Sequence, residues 1–243
     1  GGAHQSIGTP LIGMAQDGLA TFEPAYVDEL AVIMEWAFDY MQRDGSEEKE
    51  QRWHRDEKGG SVYLRLSTRP LDQPVRAITP ALRDDIIQGG YWLRRPEPGT
   101  QTAIVYTGAV APEAIEATGL LAEDRRGVGV LAVTSADRLS AGWHAAQRAR
   151  EHGERDARAH VEDLLSALPR DAAVVTVTDA YPEALSWLGG VSGHRVRALG
   201  VEHFGQSGSI GELYGHYGLD VNAILTAAEG MGGPPVRYRF LQK

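Results

Sequence analysis

The sequence contains no cysteine. Disulfides, thiolate metal sites and a cysteine nucleophile are therefore excluded, and the absence fits a reducing compartment. Basic charge is also scarce: 24 Lys and Arg stand against 33 Asp and Glu, a formal net charge of −9. Nucleic-acid binding through a basic surface that displaces phosphate counterions is not expected from that balance, and pairs such as Arg148 with Arg150 do not reverse it. No apolar run approaches the roughly 20 residues of a membrane span. The start shows no basic segment followed by an apolar one, so no signal peptide is expected. Together these absences point to a cytoplasmic protein with no membrane partner. HExxH, G-x-S-x-G, P-loop and dinucleotide fingerprints are all missing. The chain begins with Gly1 rather than Met, which marks it as an expected fragment or processed product.

What is present is ordinary for a globular chain. Of 243 residues, 42% are hydrophobic and 23% charged, enough apolar side chain for a substantial core. Pro24 opens a helical pattern in which Tyr26, Val27, Leu30, Ile33, Met34, Ala37, Phe38 and Met41 recur at three- and four-residue spacing. The segment 46–60 is almost all polar and reads as a solvated loop. Residues 61–67 (SVYLRLS) alternate as a strand does. Pro70, Pro74 and Pro80 then interrupt the chain, and proline removes a backbone donor, so residues 73–80 are assigned as a linker.

Beyond the prolines, short apolar runs at 103–107, 128–134, 173–178 and 196–201 read as strands, with a last extended piece at 236–241. Helical patterns lie between or after them at 112–123, 141–152, 157–168, 181–188, 211–216 and 221–229. Such alternation implies crossover units, hence an α/β fold with a mainly parallel sheet of about five strands and helices on both faces.

Several constellations could carry chemistry. His144, His152 and His160 are spaced by eight, but eight residues advance about 80° beyond two helical turns, so they would not share a face for a metal. Gly205, Gly208 and Gly211 could present amides to an anion, although Ser207 or Ser209 capping the next helix explains the same residues. The glycine-flanked histidine of GGAHQSIG, residues 1–8, could approach a substrate closely.

Three segments, in order, resemble one superfamily. GGAHQSIG is similar to the G-x-x-H-Q loop of transketolases and to the histidine loop of homodimeric pyruvate dehydrogenases. PAYVDELAVIMEWAFDYM and GGSVYLRLSTRPLDQP resemble the end of the pyrimidine-binding domain of those dehydrogenases. VRALGVEHFGQSGSIGELYGHYGLDVNAILTAA resembles the final segment of both enzymes, with Phe204, Gly205, Ser207 and Gly218 at its core. The dehydrogenases usually carry Asp and Arg after that serine; Gly208, Ser209 and Ile210 stand there instead.

The resemblance implies a transketolase C-terminal-domain-like fold at 81–243, preceded by the tail of a pyrimidine-binding domain at 1–72. It implies a thiamine-diphosphate-dependent enzyme acting on 2-keto compounds, with magnesium, in which His4 is catalytic and His4 and Gln5 bind substrate. A pyruvate-dehydrogenase-like decarboxylating component is favoured; a transketolase moving two-carbon units between sugar phosphates is the alternative. A noncatalytic dimerisation or binding module is the alternative from another class. A homodimer is implied, with a 2-keto acid or sugar phosphate as substrate and an acyltransferase as a partner of the dehydrogenase type. The family's GDG motif followed by asparagine is absent, and the lone asparagine is Asn222. Neither cofactor nor metal is therefore expected to be held by this stretch, which by itself is expected to be inactive.

Overall fold

A computed structural model describes residues 6–16, 18–45, 58–124 and 127–232. His4, Gln5 and the extended piece expected at 236–241 lie outside the described residues.

The first part of the chain folds as helix α1 (Thr9–Met14), strand β1 (Leu19–Phe22), helix α2 (Val27–Tyr40) and strand β2 (Ser61–Leu64). β1 and β2 pair in parallel, Leu19 opposite Ser61 and Phe22 opposite Leu64. The helix expected after Pro24 is α2. It buries Val32, Ile33, Trp36, Ala37 and Tyr40, and each large apolar side chain so buried contributes about 1.5–3 kcal/mol. The buried face is rotated from the expected one: Ile33 and Ala37 are shared, but Val27, Phe38 and Met41 are exposed, because Trp36 and Tyr40 turn inward instead. Trp36 stacks on Tyr40 at 4.6 Å and meets Phe22 edge-on at 5.4 Å. The buried Arg138 lies 4.4 Å over the Trp36 ring and donates from Nε to the Ile87 carbonyl at 2.7 Å.

The remainder builds a five-stranded sheet in the order β3-β5-β4-β6-β7. Its strands are β3 (Gly90–Arg94), β4 (Thr102–Thr107), β5 (Gly129–Val133), β6 (Ala173–Val177) and β7 (Arg195–Leu199). All neighbours are parallel except the edge pair β3–β5. The expected mainly parallel sheet of about five strands is therefore found. In this part of the chain, two elements next to the expected linker, helix α3 (Pro80–Gln88) and β3, were not anticipated. Helix α3 starts on the last proline of the expected linker, capped by the Thr79 hydroxyl, which accepts from the Leu82 N–H. It stops at Gly89, whose φ of 113° suits glycine and which sends the chain back as β3.

Helices cover both faces. Strand residues alternate between them: Ile104, Tyr106, Val130, Ala132, Val175 and Val177 point to one core, and Ala103, Val105, Leu131, Val133 and Val174 to the other. The first core holds α4 (Ala111–Asp124), through Ala114, Ala117 and Leu121, and α10 (Val221–Gly230), through Ile224, Leu225 and Ala228. The second holds α5 (Ala136–Glu151) and α6 (His160–Leu165). Leu185 of α7 (Glu183–Ser186) and Leu188, just before α8 (Gly189–Ser192), join the same core. α9 (Ile210–Tyr217) comes after β7.

Candidate active site

The chain leaves β4 through a short 3-10 turn (Gly108–Val110) toward the α4 face, and leaves β6 toward the α7 face. The two strands are neighbours. Adjacent strands whose connections part to opposite faces leave a crevice at their carboxyl ends, where ligands bind in open α/β sheets. A cavity of about 450 Å³ lies there, lined by Gly108 after β4 and Asp179 after β6 on one side and by Glu23 and Arg65 on the other. That volume is within the range of small-molecule sites.

Local structure fixes each of these residues. Glu23 directly succeeds β1, and its N–H donates to the Thr134 carbonyl at 2.8 Å, just beyond β5. β1 is further tied to the sheet because the Thr21 N–H donates to Asp137 Oδ2 at 3.0 Å and the Ser135 hydroxyl to the Thr21 carbonyl at 2.5 Å. Arg65 directly succeeds β2, its N–H donating to the Phe22 carbonyl at 2.9 Å. Gly108 has φ +64°, and a Cβ there would come 3.7 Å from Glu23 Oε2, so the tight turn keeps side-chain bulk out of the crevice.

The polar centre is one guanidinium between two carboxylates. Arg65 Nη1 donates to Glu23 Oε2 at 2.9 Å and to Asp179 Oδ1 at 2.5 Å, and Nη2 donates to the Asp179 carbonyl at 3.3 Å. Burial raises the Glu23 pKa above the usual carboxylate value; Arg65 pulls it down and Asp179 pushes it further up. Burial works against the Arg65 charge, but the two carboxylates outweigh it and leave its pKa raised. Thr9, Ser67 and Thr68 add hydroxyls to the lining. The arrangement can hydrogen-bond a polar ligand and hold it at a fixed distance from a buried carboxyl.

Ser6 also lines the cavity, and the Ile7 carbonyl accepts from the Tyr181 N–H at 3.0 Å. The segment immediately after His4 and Gln5 is thus pinned beside Asp179. The histidines weighed for metal do other work. His160 Nε2 lies 2.7 Å from the Gly90 carbonyl, His152 Nδ1 lies 2.7 Å from the Arg148 carbonyl, and the His144 ring packs on Trp143. Among the described residues no group of three His, Asp or Glu side chains could hold a metal ion. In the glycine-rich stretch, Ser209 caps α9: its hydroxyl accepts from the Glu212 N–H while Glu212 bonds back to Ser209. That is the capping alternative weighed against anion binding. A larger cavity, about 710 Å³, lies between β7, α9 and α10 near His203 and His216, away from the switch point.

Comparison with known proteins agrees with this topology. The family described as transketolase-like TK C-terminal domain matches residues 89–220, more than half of the chain. The chain belongs to this family. Solved transketolases share the fold of this transketolase-like chain. One from Leishmania mexicana is 17% identical with a TM-score of 0.66, covering 95% of this chain and 28% of that one. A split-gene transketolase, described as an inactive beta4 tetramer, is 17% identical with a TM-score of 0.63, covering 95% and 63%. The H261F transketolase from Pichia stipitis is 19% identical with a TM-score of 0.66, covering 99% and 30%. The transketolase-like chain therefore spans under a third of the length of the Leishmania and Pichia enzymes. No curated protein matches it by sequence.

Glu23, Arg65 and Asp179 were not among the residues expected to act. Arg65 is separated by 42 residues from Glu23 and by 114 from Asp179, so no spacing in the sequence joins them. The one available signal was position: each comes after an apolar stretch long or short enough to be a parallel strand, and carboxyl ends of such strands gather ligands.

Proposed function

We propose that the chain is the C-terminal portion of a thiamine-diphosphate-dependent enzyme acting on 2-keto substrates, of the pyruvate-dehydrogenase-like decarboxylating kind. Residues 1–72 are the tail of a pyrimidine-binding domain, 73–80 a linker and 81–243 the C-terminal domain. The observation that carries this reading is the cavity at the switch point. It joins the segment after His4 and Gln5 to a domain of the transketolase-like family. In this reading His4 and Gln5 face the substrate, and the whole protein is a cytoplasmic homodimer that works with an acyltransferase. A transketolase is the second reading, supported by the likeness to solved transketolases. The third, a noncatalytic assembly module, draws on the relative described as an inactive beta4 tetramer.

The residues described do not fit the cofactor. A diphosphate with its metal needs carboxylate or amide ligands and free cations. Here no metal-holding group is found among the described residues, and the cation of the cavity already bonds two carboxylates. No step is routed through the cofactor on these residues. Their part is to bind the substrate, to orient it and to limit water at the crevice.

The whole protein, supplied with thiamine diphosphate and magnesium, is expected to release carbon dioxide from pyruvate in the presence of an artificial electron acceptor. Transfer of a two-carbon unit from a ketose phosphate to an aldose phosphate would select the transketolase reading. Turnover of neither would select the assembly module. His4→Ala is expected to lower turnover about a hundredfold while moving stability by less than about 1 kcal/mol. Steady-state kinetics and thermal melting of the same variant check both.

A further inference from the structure

We infer that Glu23, Arg65 and Asp179 set the substrate class of this cavity: it rejects phosphorylated sugars and admits an unphosphorylated 2-keto compound with an uncharged far end. The inference rests on the proposed function, because it treats the cavity beside Ser6 as the substrate side.

Charge and geometry carry it. A phosphate is bound best by a guanidinium whose donors are free to meet two oxygens at once. Nη1 of Arg65 is taken by Glu23 and Asp179, and Nη2 bonds the Asp179 carbonyl. Three of the five guanidinium N–H donors are thus engaged, both of those on Nη1 by carboxylates. Two carboxylates against one guanidinium leave the centre acidic when all are ionised. A phosphate dianion entering here would meet two like charges bonded to the one cation of the lining. Such juxtaposition is a device of specificity, because it penalises the wrong ligand more than it helps the right one. The remaining polar lining is neutral, with Thr9, Ser67 and Thr68 offering hydroxyls. These can bond a carbonyl or hydroxyl and cannot neutralise a phosphate. Independently, burial with Asp179 holds the Glu23 carboxyl above its usual range against the pull of Arg65. A centre that resists ionisation of its own second carboxyl resists an added dianion more strongly.

The test is binding of inorganic phosphate, measured by calorimetry on the whole protein and separate from any turnover assay. Wild type is expected to show no saturable phosphate binding below about 10 mM. Glu23→Gln with Asp179→Asn frees the guanidinium and is expected to tighten phosphate binding at least tenfold, on the order of one charge pair at a desolvated site. Asp179→Asn alone should give part of that gain. Its carboxylate is the more exposed of the two, at 23%, so this variant keeps the question answerable if the double variant melts early. Sub-millimolar phosphate binding by wild type that Arg65→Met abolishes would overturn the inference. So would the absence of any gain in folded variants. Turnover assays separate the two levels of argument. Tight phosphate binding beside intact pyruvate turnover sinks the substrate class alone; preference for a ketose phosphate over pyruvate sinks it together with the decarboxylating reading; no thiamine-dependent turnover sinks the proposed function and leaves the phosphate result to decide what the cavity rejects.

Discussion

Two of the arginine–carboxylate clusters that join the β1–β2 part of the molecule to the part built on the five-stranded sheet are built differently. In the first, Arg76 donates from Nε to Asp28 Oδ2 at 2.6 Å and from Nη1 to the Tyr91 hydroxyl at 2.7 Å. Tyr91 in turn donates to Glu29 Oε1 at 2.5 Å, and Glu29 also accepts from the backbone of Ala25 and Tyr26. The guanidinium lies 5.0 Å from the Tyr91 ring centre and 5.5 Å from that of Tyr26. Glu29 is 1% exposed. This cluster is closed around Glu29, with aromatic rings beside the guanidinium, while Asp28 remains 22% exposed at its edge. In the second, Arg65 holds Glu23 and Asp179 beside a cavity. The same side-chain chemistry therefore serves two ends. Where it closes over the buried Glu29 it fixes how α2, the proline-rich segment and β3 sit together. Where one side is open it can choose among ligands.

The largest expected effect tests the closed cluster. Arg76→Met leaves Asp28 and the buried Glu29 without their cation and is expected to lower stability by about 3–5 kcal/mol, the range for breaking a buried pair from one side. Urea unfolding measures it. A loss under about 1 kcal/mol, the size of an exposed pair, would make the cluster no more than surface pairing and would end the contrast. Next comes the open cluster. Arg65→Met is expected to cost about 1–3 kcal/mol, because Glu23 loses its one strong donor while solvent in the cavity repairs part of the loss. Adding Glu23→Gln should recover part of it, since an amide tolerates the site without a cation. A double-mutant cycle reads the coupling, and strict additivity would show that Arg65 and Glu23 do not act together.

Much of the sheet was legible. The runs at 103–107, 128–134 and 173–178 are apolar on both sides because both faces are covered, and each became a buried strand. α2 was legible as a helix because apolar residues repeat every three or four positions, but its buried face was not: Val32, Trp36 and Tyr40 turn inward while Val27, Phe38 and Met41 are exposed. The rest was hidden for identifiable reasons. β3 has only Tyr91, Trp92 and Leu93 between glycines and arginines, and its pairing is antiparallel with a register shift between Trp92 and Arg94. α3 was masked by Pro80, read as linker although Thr79 as cap, proline in the first turn and Gly89 at the end form a start-and-stop pattern. The helix expected at 181–188 divides into two short turns, 183–186 and 189–192. The acid–arginine centre of the cavity depends on tertiary contacts alone. His4 and Gln5, inferred by resemblance, precede the Ser6–Ile7 segment that reaches it.

The smallest expected effect is also the one whose sign discriminates best. The carboxyl of Glu23 has its folded-state pKa above the ordinary 4.5, chiefly through burial, with Arg65 opposing and Asp179 adding to the rise. A group raised in the folded state contributes stability that is fully present below its unfolded pKa and is lost as pH rises through the folded one. Wild type should therefore lose stability relative to Glu23→Gln as pH climbs from about 4.5 toward neutrality, and the difference between the two should be flat below that window. Urea midpoints taken at half-unit pH steps on both proteins read this directly, because the other carboxylates are common to both and cancel. The open cluster demands this sign: if Arg65 dominated, the folded pKa would fall, and wild type would gain on the variant as pH rises. Such a gain would mean that Glu23 is held as a fully paired carboxylate, and the guanidinium between it and Asp179 would then be as closed as the one at Arg76.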